Sequence, residues 1–184
     1  TCFICEKEPG QSEVPGLTIP PKIKKMGYKG VESTELVFDG FRVDDDHVLG
    51  GRDGIGEGFK QMMDALELGR VNVAARGVGV GQRALELALR YSQERKTFGK
   101  PIAQHQAIQF KLADMATKVE AARLLTTKAA RLKDAGERSE LEAGMAKLFA
   151  SEAGRFCVEE SFRIHGGYGY SKEYEIERLM REAP

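Results

Sequence analysis

The sequence predicts a mainly α fold, an antiparallel four-helix-type bundle preceded by the last strands of a β-domain. Three observations carry this. After residue 58, apolar residues recur at helical spacing. Before residue 50, short β-prone runs are broken by turn pairs. Between the two, Gly50, Gly51, Gly54, Gly56 and Gly58 mark a joint between architectures.

Residues 1–49 read as the C-terminal part of a β-domain. Cys2 to Cys5, Glu35 to Asp39 and Phe41 to Val43 are strand-like, punctuated by Pro9-Gly10, Pro15-Gly16, Pro20-Pro21 and Asp39-Gly40. This stretch is too short and too interrupted for a sheet core of its own. With Thr1 first and no signal-like segment, the chain is expected to be an internal piece of a longer protein. Cys2 and Cys5 would face opposite sides of a strand and stay reduced; no second pair or histidine cluster completes a metal site. The glycine-rich joint, 50–58, has neither the spacing nor the βαβ surroundings of a dinucleotide fingerprint.

Residues 59–184 read as the bundle. Val71, Ala75, Val78, Leu85 and Leu89 share one face of a first helix. Gly77, Gly79 and Gly81 interrupt it at a cost of about 1 kcal/mol each, which close helix approach would explain. Ile108, Leu112, Met115, Val119 and Ala122 form the seam of a second helix that stops near Gly136. Ser139 and Glu142 are spaced as a capping box for a third, which runs through Ala146, Phe149, Ala153, Phe156 and Cys157. Ser171 is a candidate cap for a short last helix, with Glu173 and Glu175 in its first turn.

The 28 basic and 28 acidic residues cancel, which argues against a broad electrostatic grip on nucleic acid or an anionic membrane. No apolar run is long enough to span a bilayer.

Two stretches carry more chemistry than their turns need. In ERKTFGKPIAQHQ, 94–106, Gly99 and Pro101 already explain a helix-to-helix turn. Arg95, Thr97, Phe98 and Gln106 are the excess. A guanidinium forks onto phosphate, a hydroxyl adds a donor, a helix start favours an anion, and a ring lies against a flat heterocycle. Together they suit a phosphate-bearing aromatic cofactor at an edge of the bundle. The plain alternative is a solvated charge run with Phe98 tucked into the core. In RIHGGYGY, 163–170, the glycines suit either a helix stop or a close approach of backbone to a ligand. His165 reads more readily as a structural hydrogen-bonder than as a base.

The chain resembles the acyl-CoA dehydrogenases over essentially its whole length. The resemblance is carried by FDGFRV at 38–43, Leu49-Gly50, GEGF at 56–59, Gly69-Arg70, ERKTFGKPI at 94–102, HQAIQ at 105–109, LADM at 112–115, GGYG at 166–169 and ERLMR at 177–181, in that order. It implies α,β-dehydrogenation of an acyl-CoA thioester with hydride transfer to FAD. It implies that Arg95 and Thr97 meet the FAD pyrophosphate of a neighbouring subunit, with Phe98 near the flavin. Gln106, Arg163, Gly166 and Gly167 would belong to the same cofactor site, and Glu67 and Arg70 would line the acyl side. Family members carry the catalytic base either in a Glu-Gly-Thr motif that would lie beyond Pro184 or directly before the residue matching Arg70, which here is Gly69. No residue of this chain matches either position. Arg163 stands where many relatives have Gln, and Lys29 where an Arg is common. The resemblance further implies a homo-oligomer, dimer or tetramer, with an electron-transfer flavoprotein as electron acceptor. The expected location is the cytoplasm, or the mitochondrial matrix in a eukaryote. Two alternatives share the fold: an acyl-CoA oxidase or other flavoenzyme, and a non-catalytic subunit of a mixed oligomer.

Overall fold

The computed structural model describes residues 1–183. They form two compact units, residues 1–66 and residues from 67 onward. The division falls inside the first helix, beyond the glycine-rich joint.

In the first unit, β1 (Glu13–Val14) and β2 (Leu17–Thr18) pair antiparallel, with Val14 opposite Leu17, and β3 (Val37–Phe38) adds to β2 with Leu17 opposite Phe38. Pro15 fixes one turn dihedral and Gly16 takes φ +80, the pairing that a tight turn demands. The strands are shorter than the sequence suggests. Phe3 makes only a single bridge to Val48, so Cys2 to Cys5 is not a strand, and Phe41 to Val43 is irregular. The apolar residues Leu36, Val37 and Phe38 stay about half exposed and do not bury a face that would lengthen the ladder.

The second unit is helical. α1 (Gly58–Glu94) has 37 residues, about 55 Å of helix, and begins in the first unit. α2 (Gln106–Asp134), α3 (Glu140–His165) and α4 (Glu175–Glu182) follow. Gly77 meets Ala150, and Gly81 meets Gly154, so α1 and α3 run parallel. Lys111 reaches Glu160 and Lys128 reaches Glu142, so α2 and α3 run antiparallel. This is the predicted bundle, with α4 a short fourth member.

The core seam differs in detail from the apolar pattern. Val71, Ala74, Val78, Leu85 and Ala88 are buried on α1, while Ala75 and Leu89 are exposed. On α3 the stripe is Ala143, Ala146, Ala150, Ala153 and Cys157, and Phe149 lies outside it. The α3 stripe alternates steps of three and four, and the α1 stripe does so once the buried Gly81 is counted between Val78 and Leu85. Alanine carries little weight in an apolar pattern, so a seam built on Ala74, Ala88, Ala143 and Ala150 is faint in the sequence. Met115, Val119 and Ala122 are buried on α2 as expected.

Small residues let the helices touch. A Cβ on Gly77 would lie 2.6 Å from the Ala150 carbonyl oxygen, and one on Gly154 would lie 2.8 Å from that of Gly77. Gly81 is less crowded, with Gly154 Cα and Val119 Cγ2 each 3.3 Å from its Cβ position, and nothing lies within 4 Å of a Cβ on Gly79. Close approach therefore explains two of the three α1 glycines.

The helix ends are partly as predicted. Gly136 (φ +71) donates to the Lys133 carbonyl at 3.0 Å, and Glu137 to that of Leu132 at 3.0 Å, a Schellman stop for α2. Ser139 is the N-cap residue of α3, but its side chain makes no capping bond. Its hydroxyl donates instead to the Glu67 carboxylate, which also lies 3.4 Å from Lys133. A carboxylate that is only 8% exposed competes for the hydroxyl better than backbone N–H groups that water can reach. α4 begins after Tyr174 and not at Ser171; Ser171 accepts from the Glu173 N–H at 3.3 Å.

The Glu67 carboxyl is held below its ordinary value of 4.5, first by the Ser139 hydrogen bond and then by Lys133 and Arg70. A folded pKa below the unfolded one stabilises above the unfolded value, and that stabilisation is lost as pH falls through the folded value. Glu67→Gln is expected to cost about 1–3 kcal/mol at neutral pH and to flatten acid denaturation below pH 4.5, measured by urea unfolding across pH. Equal acid sensitivity in the two proteins would remove Glu67 from this role.

Candidate functional site

The site lies where α1, α2 and α3 end or begin. α1 stops at Glu94, and the chain turns through β4 (Lys96–Thr97) and β5 (Lys100–Pro101), with Thr97 opposite Lys100. The turn residues are Phe98 (φ +52) and Gly99 (φ +79). Two positive φ values in a two-residue hairpin make a type I′ turn, which suits Gly99 but strains Phe98 by about 1–3 kcal/mol. At the tip of this turn the Phe98 ring is 97% exposed. The reading of Phe98 as a core residue is thereby excluded.

A groove of about 500 Å³ opens beside this hairpin. Arg95 and Thr97 line it from the hairpin side, with Tyr91 from α1 and Ile102 behind them. The opposite wall is Ile164, His165, Gly166, Gly167 and Tyr168 at the end of α3. Gly166 has φ +58, and a Cβ on Gly166 or Gly167 would meet no protein atom within 4 Å. The glycines keep this wall low, so a guest can lie directly on backbone.

The side chains are held in place. The Arg95 guanidinium sits over the Tyr168 ring at 5.8 Å. Tyr168 leans on Tyr174 at 5.2 Å, and Tyr174 meets Tyr91 edge-on at 5.8 Å. Arg83 pins the start of α4 through Glu175, at 2.5 and 3.2 Å. Thr97 Oγ1 lies 3.0 Å from His105 Nε2. Burial raises the Tyr91 hydroxyl pKa, and burial lowers that of His165 against the opposing pull of the Ser161 carbonyl. Both side chains are therefore neutral at neutral pH.

Among the expected site residues, Arg95, Thr97, Gly166 and Gly167 share the groove, and Phe98 stands next to Thr97 on the same hairpin. Gln106 is the exposed first residue of α2 and does not line it. Arg163 points elsewhere and pairs with Glu160. Glu160 is 5% exposed and also takes Lys111; burial alone would raise its pKa, but the two cations outweigh this and lower it. Arg70 is exposed, whereas Glu67 is committed to Ser139 and Lys133. Tyr91, Tyr168, Tyr174 and Ile102 were not foreseen. Tyr91 follows Leu87 by four and Ala84 by seven, a helical spacing that hides a groove residue among core ones. In the first unit, Asp44, Asp46 and His47 bring ligand atoms within 4.8 Å of one another on an exposed turn.

A family model described as the C-terminal domain of acyl-CoA dehydrogenase matches residues 56–184. The chain belongs to the acyl-CoA dehydrogenase family. It is 42% identical to the Caffeyl-CoA reductase-Etf complex subunit CarC of Acetobacterium woodii, over 91% of this chain and 43% of that protein. Its fold superposes on butyryl-CoA dehydrogenase from Megasphaera elsdenii with a TM-score of 0.89 and 42% identity, covering 98% of this chain and 46% of that one. An acyl-CoA dehydrogenase complexed with FAD from Bacillus anthracis gives 0.82 and 32% identity, over 91% of this chain and 32% of that one. The chain spans less than half the length of the curated relatives it matches. No described helix of the chain is long and apolar enough to cross a membrane.

The hairpin offers a separable test of strain. In cofactor-free protein, Phe98→Gly is expected to raise stability by about 1 kcal/mol, because glycine adopts positive φ without a clash. A lower unfolding midpoint would mean that the ring is packed and not strained.

Proposed function

We propose that the protein carrying this chain is a flavin-dependent acyl-CoA dehydrogenase that removes hydrogen from the α and β carbons of an acyl-CoA thioester. The observation that carries this reading is the groove itself: a fixed guanidinium, a hydroxyl, a low glycine wall and a fully exposed ring on one edge of the bundle. The donors and the open glycine face fit a phosphate-bearing dinucleotide. Bound FAD supplies the hydride-accepting chemistry.

Arg95 binds a pyrophosphate oxygen through charge-assisted hydrogen bonds, and Tyr168 keeps the guanidinium from swinging away. Thr97 adds a hydroxyl, its orientation governed by His105. Gly166 and Gly167 admit the nucleotide side to backbone contact. Phe98 covers a flavin held by a neighbouring subunit and excludes water there. Gln106 contributes at the start of α2, where unpaired N–H groups favour an anion. Arg163, tied to Glu160, braces the last turns of α3 behind the glycine wall. Arg70 faces the acyl substrate, while Glu67 acts on that side through the packing of α1. The α-proton goes to a glutamate of the Glu-Gly-Thr motif that the family resemblance implies, which residues 1–184 do not contain. Exposed Leu141, Met145 and Leu148 on one face of α3 suit the homo-oligomer this site needs. Electrons pass on to an electron-transferring flavoprotein; the relationship to a subunit of an Etf complex supports this.

The test is an oxygen-free titration of the intact protein with a panel of acyl-CoAs while the visible spectrum is recorded. Bleaching of a bound flavin band by one acyl class is the expected result. Rapid reoxidation by oxygen afterwards would redefine the enzyme as an oxidase. Isolation without any flavin would overturn the groove assignment and leave the non-catalytic subunit.

A further inference from the structure

His165 is the last residue of α3, and it is only 4% exposed. Its Nδ1 lies 2.7 Å from the Ser161 carbonyl oxygen. That oxygen only accepts, so Nδ1 carries the proton and Nε2 of the neutral ring presents a lone pair. The ring stacks on Tyr91 at 4.3 Å and meets Tyr174 edge-on at 5.8 Å, which fixes its orientation. Among the described residues Nε2 has no hydrogen-bond partner, and it is not one of the polar atoms sealed from solvent without one. The open space that His165 lines is the groove.

An acceptor in a buried wall is costly when a guest displaces water from it and offers nothing in return. It therefore selects a guest with a donor at that point. Its neighbours on the groove are the Arg95 cation, suited to a phosphate, and the Gly166 backbone. In a flavin dinucleotide, the donors that flank the phosphates are hydroxyls, on the ribityl chain to one side and the ribose to the other. We propose that His165 is a recognition residue of the groove, its Nε2 accepting a hydrogen bond from a hydroxyl that flanks the phosphate held at Arg95. The inference rests on the groove being the FAD site.

The experiment measures the FAD dissociation constant of the intact protein and two variants by flavin fluorescence. His165→Phe keeps a ring for Tyr91 to stack on but removes the acceptor, and binding is expected to weaken about three- to tenfold. His165→Gln loses the ring but carries an amide oxygen at similar reach, and it is expected to recover most of the affinity. The reverse order would overturn the proposal and leave His165 a stacking residue. On the unaltered protein, FAD analogues lacking one hydroxyl at a time must include one that costs the same factor. That loss must not add to the His165→Phe loss. The analogue in question tells ribityl from ribose. If no analogue behaves so, the proposal falls, while FAD binding and its dependence on Arg95 stand. If the protein binds no FAD at all, the groove assignment falls and this inference with it.

Discussion

Gly77→Ala is expected to destabilise the helical unit by about 2 kcal/mol or more, while Gly79→Ala, two residues further along the same helix, should stabilise it by about 1 kcal/mol. The chemistry of the two substitutions is identical, so the sign depends on where the new methyl points. At Gly77 it would lie 2.6 Å from the Ala150 carbonyl oxygen and 3.2 Å from the Ser151 nitrogen. These are backbone atoms of a packed helix and cannot turn aside as a flexible side chain would. At Gly79 the methyl meets open space, and the gain is the conformational entropy that glycine loses on folding. Gly154→Ala is the reciprocal case, with its methyl 2.8 Å from the Gly77 oxygen, and should behave like Gly77→Ala. Chemical denaturation of the three variants decides it. Equal effects at residues 77 and 79 would mean that α1 and α3 do not cross at this point.

Arg95→Ala is expected to weaken FAD binding roughly 100-fold, the loss of charge-assisted hydrogen bonds to a phosphate. Arg95→Lys should recover only part of this, since a lysine does not fork onto two oxygens. Tyr168→Ala should reproduce a fraction of the loss by freeing the guanidinium. The readout is the flavin absorbance retained after gel filtration, with a dissociation constant for the variants that stay partly loaded. Full retention in Arg95→Ala would place the phosphate elsewhere.

The broad architecture was legible because it rests on periodicity and on turn residues with fixed dihedral needs. Gly136 ends α2 as a left-handed residue must, and Gly99 and Pro101 break the chain between α1 and α2. What stayed hidden depends on partners far away in sequence. Nothing local distinguishes Gly77 from Gly79; only the approach of α3 does. Ser139 and Glu142 have capping-box spacing, yet Glu67, 72 positions earlier, takes the hydroxyl. The hairpin stood out in the sequence by its surplus of functional groups, Phe98 among them, whereas the positive φ of Phe98 appears only in the fold. Tyr91 and Tyr168 did not stand out, because their roles arise from one aromatic cluster in which α1 meets the link between α3 and α4.

The alanine-lined seams have a kinetic consequence. Ala74, Ala84, Ala88, Ala143, Ala146 and Ala150 are almost wholly buried, and alanine has no rotamers to freeze or to reorganise. Helices in such contact cannot breathe by repacking side chains; they can only separate. The groove walls at the ends of α1 and α3 stand on the other cluster, with Leu85, Tyr91, Met115 and Ile164, so the alanine seam fixes the direction in which the two helices arrive there. The scaffold behaves as a mould set before it is filled, and the adaptation needed for docking is confined to the guest and to the exposed hairpin tip.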